Sequence, residues 1–123
     1  MEFETPKLRK KTYEGKSFDI VLFSNAELDE QQVGYSIGKC GELLFGFEEG
    51  NWQEGWVVIG YETGCGDPIF IDLNELGVPV YTAAHGMGSW SEIEIASSYA
   101  EFLEILDERR PANNAGVWEF FFG

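Results

Sequence analysis

The sequence predicts an α+β fold: a single domain in which a mostly antiparallel mixed sheet carries one or more packed helices. Three observations lead there. Strand-length apolar runs alternate with glycine-bearing turns, one segment alone carries full helix start and stop signals, and the elements come in mixed order. The 123 residues, 44% hydrophobic and 15% aromatic, suffice for one core but not for two. The clearest element is a β-hairpin. Trp56-Val57-Val58-Ile59-Gly60-Tyr61 and Ile69-Phe70-Ile71-Asp72 flank a turn holding Gly64, Gly66, Asp67 and Pro68. Strict alternation puts Trp56 and Val58 on one face, and Val57, Ile59 and Tyr61 on the other. Both sets are apolar, so this strand is expected inside a sheet covered on each side.

The remaining elements follow in chain order. Residues 1–16 are polar and basic and read as an N-terminal arm, leaving 17–123 as the folded domain. Ser17 to Phe23 reads as a strand with Phe18, Ile20 and Leu22 on one face, and Ser24 to Gln32 as a turn or short helix. Val33, Tyr35 and Ile37 alternate with small residues, and Leu43, Phe45 and Phe47 repeat that period, so two one-sided strands are expected. An acidic loop, Glu48 to Gly55, precedes the hairpin, and Val78 to Thr82 follows it as a short strand. Ser98 and Glu101 have capping-box spacing. Tyr99, Phe102, Leu103 and Leu106 then form an apolar helical stripe that Arg109, Arg110 and Pro111 close. The terminal run Val117-Trp118-Glu119-Phe120-Phe121-Phe122 is expected to close the core, with a homodimer contact as its alternative role.

Charge is distributed unevenly. The net −14 divides into +2 over residues 1–16 and −16 over the rest, and no Lys or Arg occurs between Lys39 and Arg109. Such a surface repels nucleic-acid phosphate and anionic lipid, and it attracts a basic protein. The absence of a long apolar run argues against membrane insertion. Two cysteines, Cys40 and Cys65, form no disulfide framework, and together with a start lacking a secretory pattern they point to the cytoplasm.

Candidate chemistry is sparse. Asp67 and Asp72 lie five positions apart along an extended segment, an odd offset that should face them apart, which argues against a shared metal. Asp67 is expected to accept turn amides, and Asp72 to cap the Asn74-Glu75 turn. A Cys65–His85–Asp triad is conceivable. Cys65, however, leads into a strand and lacks the helix N-terminus that lowers a thiol pKa. Gly64 and Gly66 lack the Lys-Ser/Thr pair and following helix of a phosphate loop. No metal, no cofactor and no catalysis are therefore expected.

The order of Trp56, Gly66-Asp67, Ile69 to Asp72, Val80-Tyr81, His85-Gly86, Trp90, Ile95 to Ser98 and Phe102-Leu103 resembles the SUKH superfamily of bacterial immunity and fungal cell-wall-regulator proteins. The resemblance covers roughly residues 23–106, and the family's usual N-terminal helix has no visible counterpart. It implies a non-enzymatic protein that neutralises a toxin, often a nuclease, by direct binding. Trp56, Gly60, Gly66, Asp67, Asp72, Tyr81 and His85 would then be structural. Glu48, Glu49, Glu54, Glu62 and Glu75 would supply the field for a basic toxin, with Trp52 and Trp90 as apolar anchors. The alternative is an intracellular regulatory or scaffold module unrelated to toxins.

Overall fold

A computed structural model describes residues 4–46 and 48–114. It is α+β: six antiparallel strands in sequential order and two helices. The strands are β1 (Lys11–Tyr13), β2 (Ile20–Leu22), β3 (Trp56–Glu62), β4 (Pro68–Asp72), β5 (Val80–Thr82) and β6 (Ile93–Ala96). A 3-10 turn, Asn25–Glu27, leads into the short helix α1 (Leu28–Gln31), and α2 spans Tyr99–Glu108. Every neighbouring strand pair is joined by a reversal, so the sheet is a meander.

The expected 1–16 arm does not lie outside the sheet. Lys11 to Tyr13 pairs with Leu22 to Ile20 as the first strand. Leu8 is buried, and its amide donates to Asn25 Oδ1 at 2.7 Å. The basic composition concealed one apolar anchor, which is enough to dock the segment.

The hairpin forms as expected, but its alternation does not hold to the end. The β3–β4 register shifts between Val58 and Gly60, leaving Ile59 as the extra residue of a β-bulge. Tyr61 therefore shares a face with Trp56, Val58, Phe70 and Tyr81, while Gly60 and Glu62 share the other with Val57, Ile69 and Ile71. Gly60 is required by close approach: a Cβ there would lie 2.3 Å from the carbonyl oxygen of Val21. At Gly66 the turn demands φ of +82°.

α2 covers the face of Ile69, Ile71 and Val80. Phe102, Ile105 and Leu106 are buried beneath it. Its start lies beside β6, and its last turn reaches β1, where Tyr13 Oη donates to Asp107 at 3.1 Å. Ser98 Oγ accepts from the Glu101 amide at 3.1 Å, as the capping spacing predicts.

The strands expected at Val33–Ile37 and Leu43–Phe47 are not strands. Residues 33–46 form turns held by isolated bridges, with Leu43 69% exposed. Alternation beside Gly34, Gly38, Gly41 and Gly46 signalled turns: Ile37 meets Leu43 and Gly46 meets Gln53 in single bridges that do not extend into a ladder. Phe47 and the terminal run 117–122, with its core-closing and homodimer roles, lie outside the described residues. Among those described, no helix is long and apolar enough to cross a membrane.

Candidate functional site: an acid-rimmed aromatic face

The sheet face opposite α2 is covered by side chains from loops. Trp56, Phe70 and Tyr81 project from neighbouring strands, with Phe70 centred 4.8 Å from Trp56 and 5.8 Å from Tyr81. Trp52 lies over them, 4.7 Å from Phe70 and 5.2 Å from Trp56, and Tyr35 and Trp90 pack onto Trp52 at 5.3 and 5.1 Å. Backbone bonds fix the loops that deliver these rings. Trp90 N donates to Gly50 O at 2.8 Å, and Leu73 N donates to Gly55 O at 2.9 Å.

Carboxylates gather at Tyr81, and Glu48, Glu49, Glu54 and Glu75 are exposed. Glu94 faces Tyr81 across the β5–β6 pair, and Glu75 Oε2 accepts from Tyr81 Oη at 3.2 Å. Burial, then the negative charges of Glu75, Asp72 and Glu94, raise the Tyr81 phenol far above its ordinary range. Tyr35 is likewise raised, first by burial and then by Asp67. Among the described residues no ion pair reaches Asp72, Glu75 or Glu94. The described pairs of Lys and Arg join Lys10 to Glu27, Lys11 to Asp107, and Arg110 to Glu104 and Glu108.

Two candidate contact residues are internal instead. Trp52 is 2% exposed and its Nε1 donates to Trp56 O at 3.2 Å, so it is a core residue rather than a free anchor. Its ring packs against Trp56 and Phe70 on this face of the sheet. Glu62 is 4% exposed. Its Oε2 accepts from Gly64 N at 2.8 Å, and its Oε1 from Cys65 N at 3.0 Å and Asp67 N at 2.8 Å. The bulge at Ile59 turned Glu62 inward, and the turn amides satisfy it. Trp90 is half-buried and keeps an edge at the surface. Leu76, beside Glu75, is 87% exposed and offers an apolar contact that the sequence pattern did not single out.

The other predicted residues divide similarly. Asp72 Oδ1 accepts from Asn74 N at 2.8 Å, the expected cap. Asp67 does not collect turn amides; Glu62 does. Asp67 Oδ1 instead lies 2.6 Å from His85 Nδ1, which carries the proton toward the carboxylate, and 3.1 Å from the His85 amide. That contact ties the hairpin turn to the loop after β5. Cys65 is exposed, and its sulfur lies with a Glu62 and an Asp67 oxygen within 4.8 Å of one another. Both Glu62 oxygens already accept amides, while Asp67 reaches both this cluster and His85. Compared with protein-family models, with curated proteins and with solved structures, the chain matches none.

Proposed function

We propose that this chain is a non-enzymatic binding protein of the cytoplasm whose acid-rimmed aromatic face captures a basic protein. The partner suggested by the SUKH resemblance is a toxin domain, of which a nuclease is the favoured class, and binding would neutralise it by covering its phosphate-holding groove. One observation carries the reading: Asp72, Glu75 and Glu94 surround Tyr81 without an ion-pair partner among the described residues. Three like charges gathered at one phenol repel one another, and a cationic partner would relieve that repulsion. Tyr35, Tyr81 and Trp90, partly exposed and packed on the buried rings beneath, supply apolar edges that lose little side-chain entropy on contact.

The test is co-expression in a bacterial host with the C-terminal domain encoded by the adjacent upstream reading frame. Survival restored by this chain supports neutralisation. Killing that this chain does not relieve, or no killing, moves the reading to a regulatory module with a different partner. Where a complex forms, replacing Glu48, Glu49, Glu54 and Glu75 by Gln should slow association roughly tenfold or more at low salt, with dissociation much less affected. An association rate that does not change with salt would rule out the electrostatic part.

A further inference from the structure

We propose that the groove between the N-terminal segment and α2 binds a small amphiphilic anion, a carboxylate or phosphate group carried on an acyl chain. A cavity of about 320 Å³ opens there, on the opposite side of the sheet from the acidic face. Its floor is apolar, made by Leu22 and Leu103 with the rings of Tyr13 and Tyr99, and its rim is Lys7, Arg9 and Lys11. In a chain of net charge −14, three of eight basic residues meet at one apolar hollow.

The local structure explains how they are held. Lys7, Arg9 and Lys11 alternate with Leu8, which is 6% exposed, so burying Leu8 commits its neighbours to the outer side. Asn25 clamps this stretch, accepting from Leu8 N at 2.7 Å and donating to Pro6 O at 3.2 Å. Lys10, by contrast, has an acidic partner in Glu27 at 3.1 Å. Among the described residues Lys7 and Arg9 have none, although acids are abundant. Asp107, the acid at the groove's end, is already held by Tyr13 at 3.1 Å and by Lys11 at 3.7 Å. Cations left unneutralised around an apolar floor match a ligand with a charged head and an apolar body. The volume lies at the lower end of ligand sites, which begin at roughly 300 Å³, so a single short chain fits better than a larger lipid.

The experiment is a titration of the ¹⁵N-labelled full chain with octanoate, octyl phosphate and octyltrimethylammonium, read by amide chemical shifts. Saturable shifts at Lys7 to Tyr13, Leu22, Tyr99 and Leu103 with the two anions are expected, and the tighter anion identifies the headgroup. The Lys7→Gln/Arg9→Gln double variant alters only exposed side chains, and its unchanged spectrum will report an intact fold. Its affinity for octanoate should fall roughly tenfold, as two partly solvated charge contacts would give. Equal binding of octyltrimethylammonium, unchanged affinity in the double variant, shifts centred elsewhere, or no saturable binding of either anion would each overturn the proposal.

Discussion

The two faces of the sheet are built by opposite means. On one, α2 delivers Phe102, Ile105 and Leu106 from a regular helix, and its carboxylates meet cations: Asp107 meets Lys11, while Glu104 and Glu108 meet Arg110. On the other, a loop delivers Trp52, which makes its own hydrogen bond to the strand it covers, and the carboxylates around it lack such partners among the described residues. The difference teaches where stability and recognition separate. Helix packing satisfies its backbone internally and can carry balanced charge. A loop-built layer depends on a few large rings, and among the described residues it leaves Asp72, Glu75 and Glu94 without ion pairs.

The largest effects test whether the two layers contribute equally. Phe102→Ala and Trp52→Ala should each cost about 3–5 kcal/mol in urea unfolding, since each empties a buried site. A loss below about 1 kcal/mol for Trp52→Ala would break the comparison, because it would make the aromatic layer dispensable to the fold. Glu62→Ala should cost about 2 kcal/mol by releasing the Gly64, Cys65 and Asp67 amides, with Glu62→Gln recovering part of the loss.

The dependence on pH separates the faces further. Glu101 is held below its ordinary value, chiefly by the Ser97 amide and then by Asn113, and Glu27 chiefly by the Ser24 amide and then by Lys10. Their contribution is present above the ordinary carboxylate value and is lost as pH falls through the lower folded values, so Glu101→Gln should flatten the acid limb of stability. Tyr81 is raised, chiefly by burial and then by Glu75, so the unfolded chain loses its phenol proton first. Its contribution is complete below the ordinary value of 10.0 and falls as pH rises beyond it, so Tyr81→Phe should flatten the alkaline limb.

The smallest effects sharpen the contrast in sign. Glu75→Gln combined with Glu94→Gln should raise stability by a few tenths of a kcal/mol, because relieving repulsion among Asp72, Glu75 and Glu94 outweighs the weaker Tyr81 Oη bond to residue 75. Asp107→Asn should lower it by roughly half a kcal/mol, because it removes a charge that Lys11 and Tyr13 meet. Equal signs in the two unfolding series would show that the rim is as balanced as the helix face.

The sequence by itself determined the parts whose signals are local. The Trp56–Asp72 hairpin, the Ser98 cap, the Phe102–Leu106 stripe and the Asp72 turn each depend on neighbours within a few residues. The surplus of exposed acids was also legible, since composition alone sets net charge. Tertiary structure decided what depends on distant partners. One extra residue at Ile59 reversed the faces of Tyr61 and Glu62, turning an expected surface acid into a buried clamp. Leu8 drew an apparent basic arm into the sheet, and the alternating 33–46 stretch became turns whose pairing stops at single bridges. The physical reason is common to all three. A β residue's face and pairing are set by register with a strand far away in sequence, and alternation within one segment does not encode that register.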